Sequence, residues 1–249
     1  MNYAQIPEKP QNAYCAQAAK EMLAVAKTYL AHAERLVYSY GSKTFLSGYD
    51  LFDNEGRGNI DCSTFVMLVL SGIPYEKSPY FFGSAKGMSA GSQSWAYHDL
   101  VDFGAIPDHY TSIAERIGRP YLAGPKGLDL KKAADMGVTV EMLADEIRAT
   151  GTIRRSVYLA EYFLQCGACF TDEASAKPGD LVFYRSSGFF SDHERNYQGR
   201  AEINHVGIVS ENPEMMINSS GSSGKEKPAV SLEPIFGMRK PVMFARFMC

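Results

Sequence analysis

The chain has 249 residues, 25 of them basic and 28 acidic, so its net charge is −3. Apolar side chains make up 45% and charged ones 21%, which is enough apolar surface to bury a core and excludes disorder as the main state. A slightly acidic chain without basic runs offers no footing for nucleic acid, and its longest apolar run, Phe65 to Leu70, falls far short of the roughly 20 residues that span a bilayer.

Met1 to Pro10 carries Glu8, Lys9 and two prolines and shows no apolar segment behind a basic end, so no secretory signal is read there. The expected setting is the cytoplasm, unless a leader is missing or the protein leaves by lysis. The length suits a single domain over 1–249 with room for an insertion. Residues 12–37 predict a helix, since Tyr14, Ala18, Met22, Leu23, Ala26, Tyr29, Leu30 and Ala33 recur at three- and four-residue steps. Tyr38-Ser-Tyr-Gly-Ser42 and the polar, Gly-rich stretch to Asn59 predict a loop.

From Asp61 a second helix is expected. Cys62, Phe65, Val66, Leu68, Val69 and Leu70 cover nearly every face of it, as in a central, buried helix, and Gly72 and Pro74 end it. Residues 80–153 predict a mainly helical insertion. Its aromatic residues (Tyr80, Phe81, Phe82, Tyr97, Phe103, Tyr110) read as the insertion's own core or as a platform at the rim of a cleft. Val157 to Phe170 is again apolar and helical. From Ala176 the period becomes two: Asp180–Tyr184, Ile203–Val209, Met215–Asn218 and Val242–Phe247 predict short strands. Helices first and strands later give an α+β fold with an antiparallel sheet.

Five cysteines (Cys15, Cys62, Cys166, Cys169, Cys249) are an odd number, which predicts no disulfide framework and at least one unpaired thiol. Cys166-Gly-Ala-Cys169 has the spacing of a redox or zinc half-site. No second pair of ligands follows it, so two buried structural thiols and no metal site are expected.

Three segments carry chemistry. Cys62 stands at the start of a helix, where unpaired N–H groups and the helix dipole favour a thiolate nucleophile; a buried structural cysteine capped by Asp61 explains the segment equally well. His205, in Ile-Asn-His-Val-Gly-Ile, points away from the face on which Val206 and Ile208 pack. Asn218 follows on the next strand. A four-residue turn over Glu211–Glu214 pairs positions whose numbers sum to 425, so His205 faces Ser220, and Asn218 becomes its diagonal neighbour on the same face. A base beside an orienting amide is the second half of a Cys–His–Asn arrangement.

Asp61-Cys-Ser-Thr-Phe-Val66, Lys177-Pro-Gly-Asp-Leu-Val-Phe-Tyr184, His205-Val-Gly-Ile208 and Met216-Ile-Asn218 occur in that order. Together they resemble the NlpC-like cysteine peptidases, bacterial cell-wall hydrolases of reduced papain-like fold, over about residues 12–80 and 153–249. The resemblance implies N-terminal helices packed on an antiparallel sheet, with Cys62 as nucleophile, His205 as general base and Asn218 as third residue. It also implies substrate contacts from Tyr38, Asp61 and Ser63, no cofactor, and a peptidoglycan-derived peptide as substrate, cut between γ-D-glutamate and a diamino acid. Asp61, Ser63 and Tyr38 would then suit the free amine of a stem peptide, so a preference for free stem peptides over intact wall is expected; helix capping by Asp61 is the alternative. The chain departs from the family at Ser42, Thr64 and Asn218, where Gly, Gly and His are usual. An N-acetylmuramoyl-L-alanine amidase of related fold and a non-enzymatic wall-binding module are the alternatives.

Overall fold

The computed structural model describes residues 6–39, 52–70, 72–78, 80–81, 123–124, 127–128, 156–185, 203–221, 228–237 and 240–247. Helix α1 (Ala16–Ala31) buries Ala19, Met22, Leu23, Ala26 and Tyr29, which the helical period sets on one face. It is shorter than the predicted span, because a 3-10 turn (Ala33–Arg35) and then strand β1 (Leu36–Tyr38) take over. Strand β1 runs parallel to β2 (Gly58–Ile60), with Tyr38 opposite Ile60. Both strands fall where a helix end and a loop were expected. Three-residue strands paired across some twenty positions leave no local alternation to read.

Helix α2 (Cys62–Leu70) buries every residue from Cys62 to Val69, as its all-round apolar sequence predicts. Gly72 ends it with φ +67°. The Gly72 N–H donates to Val69 O and the Ile73 N–H to Leu68 O, both at 3.0 Å, the paired bonds that close a helix on a left-handed glycine. The expected insertion at 80–153 lies outside the described residues, apart from Tyr80, Phe81 and a small hairpin of β3 (Ala123–Gly124) and β4 (Gly127–Leu128).

Helix α3 (Ser156–Gln165) stops sooner than its apolar run suggests. Gly167 takes φ +66°, and the same two bonds recur, Gly167 N–H to Leu164 O and Ala168 N–H to Phe163 O. Strand β5 (Cys169–Phe170) follows at once. Cys166-Gly-Ala-Cys169 is therefore a helix-to-strand turn; Cys169 is buried and Cys166 only half so, so the expectation of two buried thiols holds for one.

Strands β6 (Leu181–Arg185), β7 (Ile203–Val209), β8 (Met215–Ser219), β9 (Val230–Pro234) and β10 (Pro241–Ala245) complete a six-stranded sheet among the described residues. Its order is β5-β10-β6-β7-β8-β9, antiparallel throughout. On one face Leu181, Phe183, Val206, Ile208, Ile217, Met243 and Ala245 join the core formed with α1, α2 and α3. On the other, Val182, Tyr184, Val209, Met216 and Phe244 close around Phe170 and Ile235. The split follows the two-residue period of each strand.

Lys177-Pro-Gly-Asp180 is the turn that enters β6. Gly179 has φ +86°, and a Cβ there would lie 2.7 Å from the Ala19 Cβ, so only glycine lets α1 pack on the turn. Gly179 N–H donates to Val209 O, and Val209 N–H to Asp180 O, each at 2.8 Å; the turn thus clasps the end of β7. The buried Asp180 carboxylate accepts from Arg246 Nε at 3.1 Å and Arg246 Nη2 at 2.8 Å, and from the Lys177 N–H at 2.8 Å. Arg246 also donates to Ser175 O at 2.7 Å. Removing one partner strands a buried charge, at a cost of about 3–5 kcal/mol. Arg246→Ala is therefore expected to lower unfolding stability in urea by that amount; a loss under about 1 kcal/mol would show the pair to be solvated and dispensable.

Candidate active site

The first turn of α2 is tied together by Asp61. Its Oδ1 accepts from the Thr64 N–H at 2.7 Å and from Ser63 Oγ at 2.9 Å, and its carbonyl accepts from the Phe65 N–H at 3.0 Å. This is an N-cap, and Asp61 and Ser63 are both buried. The capping account of these two residues is what the geometry gives; no further partner of either defines an amine pocket among the described residues.

Capping places Cys62 against β7. Strand β8 pairs with β7 over Gly207–Val209, and the sulfur lies alongside the residues just before that span. The thiol donates to the Asn204 carbonyl at 3.9 Å. The backbone N–H groups of Val206, Ser63 and Cys62 all stabilise its ionised form. Asn204 and Val206 are the neighbours of His205, so the thiol meets the strand beside the histidine. Burial, and then the charge of Asp61, nonetheless outweigh those N–H groups and push the thiol up to about 12. The expected low-pKa thiolate is corrected accordingly: the helix start does favour the anion, but desolvation of a residue only 5% exposed is larger.

The predicted hairpin register is the observed one, with Gly207 opposite Asn218 and Ile208 opposite Ile217. It sets His205 and Asn218 on the face away from the helices, and the His205 Nε2 lies 3.0 Å from Asn218 Oδ1. Since the oxygen can only accept, Nε2 carries the proton and Nδ1 is left as the basic nitrogen of the neutral ring. Gly207 makes this approach feasible, because a Cβ there would come within 2.8 Å of Met216 Sδ and 3.2 Å of the Asn218 Cβ. Tyr184 of β6 sits with its ring centroid 5.7 Å from that of His205, and its hydroxyl is held by Ile235 O at 3.0 Å.

Tyr38 is placed by the β1–β2 pairing, opposite Ile60 and so two residues ahead of Cys62 in the partner strand's direction. Its ring covers Gly221, where a Cβ would lie only 2.3 Å away. Asp61, Cys62 and Ser63 thus stand together at the start of α2, where the thiol meets β7 at the Asn204 carbonyl, and His205 and Asn218 form a second pair across β7 and β8. Sequence reading missed Ser231 of β9, opposite Asn218, and Glu233, opposite Met216 and so diagonal to Asn218 on the same face. The alternation of Val230 and Leu232 with Ser231 and Glu233 is the signal that could have found them.

Cys15 is disulfide-bonded, while Cys62, Cys166 and Cys169 remain thiols, so no framework links these three and the expected unpaired thiols are present. No cluster of three or more His, Cys, Asp or Glu residues is arranged to hold a metal among the described residues. Nor is any described helix long and apolar enough to cross a membrane.

A buried, protonated thiol should alkylate slowly. At pH 8 iodoacetamide is expected to label the more exposed Cys166 before Cys62. The Cys62 rate should then rise about tenfold per pH unit towards pH 11 as the thiolate fraction grows. Asp61→Asn keeps the cap acceptor but removes the charge that raises the thiol, and should speed Cys62 labelling. Faster labelling of Cys62 than of Cys166 at pH 8 would show a preformed thiolate instead.

No family model matches the chain, and no curated protein does. Among solved structures, an N-acetylmuramoyl-L-alanine amidase from Bacteroides uniformis is similar at 15% identity with a TM-score of 0.32, over 92% of this chain and 97% of that one. A superposition this loose establishes neither fold nor activity.

Proposed function

We propose that this protein is a cysteine-type amide hydrolase of papain-like architecture that acts on peptidoglycan stem peptides. One observation carries the reading: the His205 imidazole is fixed by Asn218 at 3.0 Å, while the Cys62 thiol lies against the main chain on both sides of His205. In this reading Cys62 supplies the nucleophile, His205 the base and Asn218 the group that orients the base.

The reaction follows from the protonation states. Because the resting thiol is neutral, its proton passes to His205 Nδ1 as the sulfur attacks the amide carbonyl, rather than in advance. The tetrahedral oxyanion is held by the Cys62 N–H, with the Tyr38 hydroxyl as second donor; each such donor is worth about 10²–10³ in rate. The imidazolium returns its proton to the leaving amine, the C–N bond breaks, and a thioester remains on Cys62. Water, deprotonated by His205, then releases the acid.

Substrate class comes from the ordered motifs alone: the bond between γ-D-glutamate and a diamino acid is the one their resemblance favours. The oxidised Cys15 fits action outside a reducing cytosol, where disulfides persist. Asp61 and Ser63 act first as the cap. A preference for stem peptides with a free amine would require the Asp61 charge to reach past it.

Digestion of purified peptidoglycan, with the fragments weighed by mass spectrometry, tests the reading. Cleavage within the stem peptide supports the endopeptidase; release of intact stem peptides from muramic acid identifies an amidase instead; binding without cleavage identifies a wall-binding module. Cys62→Ala should abolish turnover and leave the fold intact. Asn218→Ala should lower kcat with little change in KM. Gly207→Ala, by displacing Asn218, should cost roughly 10- to 100-fold in kcat. Comparing L-Ala-γ-D-Glu-diaminopimelate with its N-acetylated form tests the amine: equal kcat/KM leaves Asp61 as a cap only.

A further inference from the structure

Behind Asn218 stands a carboxylate that the Cys–His–Asn reading does not use. Strand β9 runs along β8 with Asn218 opposite Ser231 and Met216 opposite Glu233, and paired residues share a face. Val230 and Leu232 lie on the face of Ile217, Val230 buried and Leu232 47% exposed, while Ser231 and Glu233 lie on the face of Asn218. Glu233 Oε1 accepts from Ser231 Oγ at 2.8 Å and from Ser220 Oγ at 2.9 Å. Burial alone would raise this carboxyl. Hydrogen bonds from Ser231 and Ser220, together with the nearby Asn218 amide and the charge of His205, outweigh burial and hold it below the usual carboxylate range.

Asn218 is fully buried. Its Oδ1 serves His205, and its Nδ2 makes no hydrogen bond of ordinary geometry. A buried amide with one end unsatisfied has no reason of its own to prefer this orientation over the flipped one. We infer that Glu233 is a positioning residue: its carboxylate faces Asn218 Nδ2 and forbids the flipped amide, so that Oδ1 is presented to His205. The flipped amide would set Oδ1 against a carboxylate, oxygen against oxygen. With the flip forbidden, His205 must carry its proton on Nε2, and Nδ1 stays the base. The same negative charge favours the imidazolium once the thiol proton has moved. The titratable groups around His205 include Cys62 of α2 with Asp61 behind it, Tyr184 of β6 and Glu233 of β9; of these Glu233 is the acid that acts through Asn218.

The catalytic meaning of Glu233 rests on the hydrolase reading, whereas its effect on the histidine does not, and two readouts separate them. Nitrogen NMR of histidine-labelled protein at pH 8, with the His205 signal assigned from His205→Ala, reports the tautomer directly. The wild type should show His205 protonated on Nε2. Glu233→Ala should give a mixture of tautomers and a kcat on the order of tenfold lower at unchanged KM. Glu233→Gln, which keeps the volume but can itself donate to Asn218 Oδ1, should also give a mixture. Glu233→Asp should restore part of both readouts. Wild-type tautomer in Glu233→Ala and Glu233→Gln would overturn the assignment, whatever happens to turnover. A tautomer mixture in a chain that hydrolyses no peptide would leave Glu233 in its positioning role and remove the hydrolase reading instead.

Discussion

The register between β7 and β8 is the constraint on which the site depends. Gly207 opposite Asn218 sets the asparagine on the face of His205, and side chains alternate with a period of two, so a slip of one residue would turn Asn218 into the helical core and Ile217 out of it. The turn holds that register at both ends: Ser210 N–H donates to Met215 O at 2.8 Å, and Met215 N–H to Asn212 O at 2.9 Å. Ile208 and Ile217, opposite one another, fix it again from the apolar side. The polar pair is thus positioned by apolar residues that never touch it.

Much of what looks like signature in this chain is support for that pair. The Pro-Gly-Asp turn carries no reacting atom; it locks β7 at Val209, admits α1 over Gly179 and buries Asp180 with Arg246 at the end of β10. Asp61 caps α2, and by doing so fixes the direction in which Cys62 leaves the helix. The glycine after His-Val leaves room for an asparagine across the strand. Each of these residues acts at one remove from the chemistry, by leaving two groups no other arrangement.

The sequence made local patterns legible and long-range pairings only where a turn connected them. Helix α2 is readable because it is apolar on all sides and ends at glycine. Strands β6, β7, β8 and β10 are readable from alternation, and the β7–β8 register follows from the length of one turn. Strands β1, β2 and β5 are too short to alternate, and in β9 only Val230 is buried while Leu232 on the same face is exposed, which leaves a weak apolar signal. The ionisation of Cys62 was misjudged for a related reason. A helix start is visible in sequence, but the burial that opposes it comes from β7, some 140 positions away. Cys166-Gly-Ala-Cys169, with half-site spacing but an expected structural role, ends α3 at Gly167.

The neutral, enclosed thiol has a consequence for how long the protein lasts. Oxidants attack cysteine through its thiolate and in proportion to its exposure. A sulfur kept protonated and shielded by Asn204, Val206 and the first turn of α2 is a poor target for peroxide, and poor also for exchange with a passing disulfide. Under the proposed mechanism the sulfur would be activated only while a proton acceptor and a carbonyl stand beside it together, and between encounters it would be stored in its least reactive form.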